Sequence, residues 1–432
     1  MSWRETTLGE ITNLKRGFDL PKSQRLQGDV PVYSSSGITG SNSTAAVEGP
    51  CVITGRCGTI GEVFFSSGPC WPLNTALYST EFNGNNPRFV YYLLQTIPWK
   101  GYTTASAVPG VNRNHVNLCP VKIPDRATQD AIVEVLDSIV DKIALNNQLN
   151  DYLEQLCQSL FNRFDNDENN PFVKVSDIAD VNPRRTLKKG EEALCIEMAD
   201  LSTTGAFPTD WRTKAYNGGV KFVNGDTILA RITPCLENGK AGYINFLEQD
   251  EVAFGSTEYI VLTSKGELPS EFFYFLARNE DFISYATAHM NGSSGRQRVS
   301  GSDVGNYEVR MPSEKQISEF RKIAGNAMRV ISASSIESRK LAQLRDALLP
   351  KLMSGEIDAS KVELTQLTNN HLWVHGHNVP NRYWKGRLWK PSLIMFCHRC
   401  RTCSIRHSSN IWPKYSESRY CQLRKHPCRR IC

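Results

Sequence analysis

Two arginines close two similar stretches of this chain. Arg56 ends the run Gly49-Pro50-Cys51-Val52-Ile53-Thr54-Gly55-Arg56, and Arg231 ends Gly225-Asp226-Thr227-Ile228-Leu229-Ala230-Arg231. The apolar, β-branched content of each run predicts a strand. A guanidinium is a planar fork of N–H donors that grips a carboxylate, a phosphate or a base edge with two bonds at once. More such groups lie in other loops. Arg184-Arg185 precedes Lys188-Lys189, and Arg296-Gln297-Arg298 follows Gly292-Ser293-Ser294-Gly295. This is the chemistry of recognition. For Arg56 and Arg231 the competing reading is an ion pair within the fold; for the others it is a solvated charge.

Catalytic signatures are missing from the sequence. Asn238-Gly239-Lys240 lacks the rest of a phosphate-binding loop, and neither GxGxxG, GxSxG nor HExxH occurs. Asn182-Pro183-Arg184-Arg185 does not match an Asp-Pro-Pro-Tyr-type amino-methyltransferase motif. Residues 1–364 hold two histidines, His115 and His289, and seven cysteines without a CxxC pair, so reduced thiols are expected. Binding is favoured over catalysis.

The elements that must carry these side chains are written twice. The runs ending at Arg56 and Arg231 lead to Gly61-Glu62-Val63-Phe64 and Gly242-Tyr243-Ile244. Arg88-Phe89-Val90-Tyr91-Tyr92-Leu93-Leu94 recurs as Glu271-Phe272-Phe273-Tyr274-Phe275-Leu276-Ala277, and Val121-Lys122-Ile123-Pro124 as Val309-Arg310-Met311-Pro312. A period this long excludes a solenoid and indicates a duplicated unit. In the first copy, strands are expected at 50–54 and 59–65 and a short helix near 87–95. After each copy comes a long helical pattern. Between Thr128 and Phe164 no Pro or Gly occurs, and Ile132, Leu136, Ile139, Ile143, Leu153 and Leu160 recur every three or four residues, with Asn146 and Asn150 interrupting. The pattern at 313–349 has a weak middle, Ser332-Ala333-Ser334-Ser335, and is expected to end at Leu349-Pro350. Two such stripes can cover one another as an antiparallel coiled coil.

Composition breaks at the end. Residues 1–364 carry a net −6, whereas 365–432 carry +12 with a single acid, Glu417. That tail also concentrates His, Cys and Trp. It reads as a disordered segment whose composition resembles out-of-frame translation, and Cys397-His398-Arg399-Cys400 lacks later ligands at zinc spacing. No apolar run approaches 18 residues, and no apolar segment follows the first five residues; a cytoplasmic protein without a membrane span is expected.

Residues 1–364 resemble the specificity subunit of type I restriction–modification enzymes. The resemblance rests on the doubled domain-plus-helix plan, on Val32-Tyr33-Ser34-Ser35-Ser36-Gly37-Ile38-Thr39-Gly40 followed by Ile53-Thr54-Gly55-Arg56-Cys57-Gly58-Thr59-Ile60-Gly61, on Ile123-Pro124 leading to Gln129-Asp130-Ala131-Ile132, and on the ending Leu348-Leu349-Pro350-Lys351-Leu352-Met353-Ser354-Gly355-Glu356-Ile357-Asp358. It implies an α+β chain with an internal pseudo-two-fold repeat. Two mixed α/β target-recognition domains, 1–125 and 171–313, are joined by antiparallel coiled-coil spacer helices at 126–170 and 314–364. It implies a non-catalytic reader of double-stranded DNA, each domain taking one half of a bipartite target. The helices dock two modification subunits, and restriction subunits complete the complex. S-adenosylmethionine, ATP and Mg belong to those partners; no cofactor or metal is expected in this chain. A coiled-coil adaptor that binds protein only is the alternative.

With DNA as the partner, the candidate contacts are Lys15, Arg16, Ser35, Ser36, Arg56, Asn112 and Arg113 in the first domain. In the second they are Arg184, Arg185, Lys188, Arg231, Lys240, Arg296, Gln297 and Arg298. Arg and Gln suit base edges, and Lys more often positions phosphates. Net charge gives no support, because the two domains sum to +2 and −4; any basic face must be local. On the first helix, Asp130, Glu134, Asp137 and Asp141 form an acidic face, either solvated or turned to a partner subunit.

Overall fold

The computed structural model describes residues 3–103, 110–293 and 295–362. The expectations for 365–432 lie outside the described residues.

Two long helices begin with the same device. Asp125 caps the helix Arg126–Asp165 by accepting from the Thr128 amide at 3.0 Å. Ser313 caps Glu314–Ser354 in a capping box with Gln316, whose Oε1 accepts from the Ser313 amide at 2.8 Å. Helices of 40 and 41 residues are each about 60 Å long. They run antiparallel, since partner numbers fall as helix numbers rise: Lys142 meets Glu337 at 3.3 Å, and Arg163 meets Glu319 at 3.1 Å. The second helix does not stop at Leu349-Pro350. Pro350 lies in its last turns, and Leu352 and Met353 are buried in the core of the first domain. That anchorage outweighs the lost main-chain donor. Gly355 then ends the helix in the left-handed region at φ 77°.

Each end of this pair carries one mixed α/β domain. The first packs on Ile132–Leu136 of the first helix and on the end of the second. The second packs on Cys157, Leu160, Phe161 and Phe164 and on Ile317–Ile331. Each starts with a strand paired antiparallel to its own last strand: Trp3–Thr7 with Pro120–Pro124, and Phe172–Lys174 with Glu308–Arg310.

The main sheets have one plan. In the first domain the order is Lys15–Arg16, Ala76–Ser79, Cys51–Gly55, Val63–Ser66; in the second it is Ala179–Val181, Tyr259–Ser264, Thr227–Ala230, Ala241–Tyr243. A second sheet in each contains one parallel pair, Val30–Ser34 with Trp71–Pro72 and Glu192–Ile196 with Ala253–Gly255. Helices Pro87–Gln95 and Glu271–Ala277 cover corresponding faces. The strand expected at 59–65 is shorter, Val63–Ser66. Gly58 and Gly61, both at positive φ, turn the chain before it.

The polar residues of the helix pair meet each other. Asn146 is buried, and its Nδ2 donates to Ser334 O, Glu337 Oε2 and Ser338 Oγ at 3.3, 2.8 and 3.2 Å. Asn150 donates to Ser335 Oγ at 3.1 Å and accepts from Ser334 Oγ at 2.6 Å. Two members of the acidic face are held within the first domain. Asp137 binds Arg88 and accepts from the Tyr92 hydroxyl at 2.5 Å; Asp130 binds Arg126 and Asn86.

Candidate nucleic-acid interface

Arg56 and Arg231 occupy one place in two copies of a sheet. Each follows the corresponding inner strand, Cys51–Gly55 or Thr227–Ala230. The Arg56 amide donates to Thr75 O at 2.9 Å, and its carbonyl accepts from the Val111 amide at 2.8 Å. The Arg231 amide donates to Glu258 O at 3.0 Å, and its carbonyl accepts from the Val299 amide at 3.0 Å. A short helix follows each pin, capped by Asn112 or Ser300 through the amides of Asn114 and Asp303. The main-chain scaffold is thus duplicated, while the side chains it carries differ.

In the first domain, Ser35 is buried against the turn after the inner strand. A Cβ on Gly55 would run into Thr59 O and meet Ser35 Cβ at 3.2 Å, so only glycine fits there. Ser35, Arg56, Asn112 and Arg113 therefore gather at one end of the sheet, with Ser36 exposed beside them. Arg56 Nε donates to Asn74 O at 3.0 Å; it makes no ion pair among the described residues. Lys15 is turned elsewhere. It pairs with Glu81, beyond Ser79, and Ser79 faces Val52 at the far end of the strand from Gly55. Arg16 is exposed on the edge strand.

In the second domain, the loop before Ser300 folds onto Arg231. Thr233 N donates to Gln297 O at 3.1 Å, and Ile232 bridges to Arg298. Arg298 binds the Glu258 carboxylate through Nε at 2.8 Å and Nη2 at 2.7 Å; its Nη1 donates to Arg296 O at 3.0 Å. The adjacent guanidinium holds the Glu258 carboxyl below its ordinary range, and Arg231 adds to the effect. The Arg231 Nε is buried with no hydrogen-bond partner among the described residues. Lys240 Nζ donates to Met198 O at 2.9 Å. Arg296 is exposed and Gln297 half-buried on the same loop.

Arg185 is withdrawn from this end. Its Nη2 reaches both oxygens of fully buried Asp226 at 2.7 Å. Asp226 precedes the strand Thr227–Ala230 that Arg231 follows, so the two arginines lie at opposite ends of about 13 Å of strand. Arg185 is a structural anchor rather than a free donor. Arg184 and Lys188 are exposed in its loop, and among the described residues no contact brings them to Arg231. Sequence reasoning passed over Glu258, because nothing in its neighbourhood announces a partner 40 residues away. It also missed Arg278, whose Nη1 donates to Thr203 O and Gly239 O, both at 2.6 Å. No group of three or more His, Cys, Asp or Glu is placed to hold a metal ion, and no helix is long and apolar enough to cross a membrane, among the described residues.

Comparison with known proteins gives these features a setting. Residues 1–155 match the family model described as the type I restriction modification DNA specificity domain. The type I restriction enzyme HindI specificity subunit of Haemophilus influenzae is 21% identical over 459 residues, covering 82% of this chain and 99% of that protein. The EcoEI specificity subunit of Escherichia coli is 26% identical over 201 residues, 44% of this chain and 33% of its own length. The crystal structure of the S subunit from M. genitalium overlays on 82% of this chain and 96% of its own, with a TM-score of 0.57 at 15% identity. The chain is similar in sequence and in fold to type I specificity subunits.

Proposed function

We propose that this chain is the DNA sequence-recognition subunit of a type I restriction–modification complex. Each mixed α/β domain reads one half of a bipartite target, and the antiparallel helix pair sets their separation as a coiled-coil spacer. The observation that carries the reading is the duplicated turn: Arg56 and Arg231 are pinned alike in two domains at opposite ends of one helix pair. The family match over 1–155 and the specificity subunits it resembles support it. A protein-only coiled-coil adaptor is not favoured, since it needs neither the duplicated turns nor their guanidinium groups.

The chain binds and orients; adenine methylation and DNA cleavage belong to modification and restriction subunits. S-adenosylmethionine, ATP and Mg are assigned to those partners, and the complex is assigned to the cytoplasm. The helix pair offers the modification subunits a surface. Leu145, Leu149, Tyr152 and Leu156 are 42–61% exposed; at three- and four-residue spacing they share one helix face. Such a stripe suits burial against partner helices.

The test is to express the chain with its modification subunits and read the host methylome. A two-part adenine-methylated motif with a fixed gap supports the reading. Absence of any sequence-defined methylation from an assembled complex overturns it.

A further inference from the structure

The Glu258–Arg298 pair belongs to one copy of the duplicated scaffold only. The matching main-chain contacts put Thr75 where Glu258 stands, and the bridges Cys57–Gly110 and Ile232–Arg298 put Gly110 where Arg298 stands. The first domain builds the same turn without an ion pair there. The shared turn can therefore be built without such a pair, and its presence in the second domain calls for a local reason.

Its geometry supplies one. Glu258 takes the Nε edge of the guanidinium, with Nε at 3.1 and 2.8 Å from its two oxygens and Nη2 at 2.7 Å from Oε1. Nη1 spends one hydrogen on Arg296 O at 3.0 Å. An arginine carries five N–H groups; among the described residues, one on each terminal nitrogen remains uncommitted. The Arg298 side chain is 38% exposed and Glu258 25% exposed, so the guanidinium is the more open of the two to solvent. Held from one edge, a guanidinium loses less rotamer freedom when its other donors bind. Two N–H groups from one arginine match the adjacent O6 and N7 acceptors of guanine in the major groove.

We propose that Arg298 reads a guanine in the half-site of the second domain and that Glu258 is its positioning residue. This rests on the DNA-recognition reading above and deepens it. The competing role is a structural clamp holding the 291–299 loop.

The experiment compares the wild-type complex with R298K and E258Q complexes, each with modification subunits, by methylome sequencing and by thermal unfolding. Lysine keeps a charge opposite Glu258 but cannot make the forked contact, and the E258Q amide keeps a hydrogen-bonding oxygen without the counter-charge. For R298K, one guanine position in the second half-site should lose roughly ten- to a hundredfold of its discrimination, with the first half-site and the unfolding temperature unchanged. E258Q should relax the same position less. An unchanged motif in R298K overturns the proposal. So does uniform loss of methylation with a lowered unfolding temperature, which is what a clamp predicts. Failure of the parent reading is separate: the wild-type complex itself would then give no bipartite motif, and the inference would fall with it.

Discussion

Asn146 of the first long helix reaches across to Ser334 of the second, its Nδ2 donating to the main-chain carbonyl at 3.3 Å. The same amide serves Glu337 and Ser338, and Asn150 binds Ser334 and Ser335 one turn on. A buried polar layer of this kind fixes register, because a shifted pairing leaves its groups without partners. Asn146→Ala is expected to cost about 1–3 kcal/mol, measured as a lowered urea midpoint of the helical signal. A shift near zero would show that the layer is dispensable.

That layer also shows what a single sequence can and cannot disclose. Local signals were legible: the duplicated strand runs, the helix near 87–95 and the two long stripes all follow from spacing. The interruptions at Asn146 and Asn150 and the weak Ser332–Ser335 stretch read as separate blemishes, yet they are two halves of one contact. Pairings across distance were illegible for the same reason. Arg185 looks like any loop arginine until Asp226, 41 residues on, is seen buried beneath it. Asp137 looks like a solvated helix acid until Arg88 and Tyr92 are seen against it. Pro350 misled because local chemistry favours a stop, whereas burial of Leu352 and Met353 in the first domain prolongs the helix.

Arg56 and Arg231 should act on different halves of the target. Each Ala variant is expected to lose about 1–3 kcal/mol of binding and to relax its own half-site if the side chain touches a base edge. Competition binding of the assembled complex to DNA altered in one half at a time separates the cases. Equal weakening on all sequences indicates a phosphate contact instead.

Gly355 is constrained twice. Its φ of 77° suits glycine, and a Cβ there would approach the Trp3 indole to 2.8 Å. Gly355→Ala should lower stability by about 1–2 kcal/mol from the left-handed backbone alone, with the Trp3 collision adding to it. Wild-type thermal stability in this variant would show that neither constraint acts.

Glu154 should give the chain a pH-dependent stability term. It accepts from the Tyr274 hydroxyl and, at 3.0 Å, from the Ala206 amide, and burial pushes its carboxyl above the ordinary value of 4.5. A raised folded value means that the native state holds the proton more tightly than the unfolded chain. This term therefore favours folding below 4.5 and weakens as pH rises through the raised value. Glu154→Gln should flatten the stability profile above 4.5. A variant profile parallel to wild type throughout would remove Glu154 as the source.

The spacing between half-sites should follow the length of the helix pair between the two domains. The junction at 162–170 between the first helix and the second domain is no place to lengthen it, because Leu160, Phe161 and Phe164 already lie in the second core. An insertion there would loosen a loop and leave the separation unchanged. Between the two buried cores lie about 140–156 of the first helix and about 332–347 of the second. Because the helices are antiparallel and registered by Asn146 and Asn150, both must be extended at one level: four residues after Asn146 and four after Ser335. Lys142–Glu337 and the Asn146 bonds to Glu337 and Ser338 then stay together on the side of the first domain. The Asn150 bonds to Ser334 and Ser335 stay together on the side of the second, while the Asn146–Ser334 bond and the Arg339 contacts with Asp210 and Trp211 are split. Four residues are about one turn, so the apolar stripes nearly realign and the helices lengthen by about 6 Å. With roughly 3.4 Å per base pair, the gap in the methylated motif should grow by one or two base pairs, both half-sites being retained. Two-residue insertions at the same points turn each stripe by about half a circle and should abolish methylation. An active four-residue double insert whose gap is unchanged would show that these helices do not set the spacing.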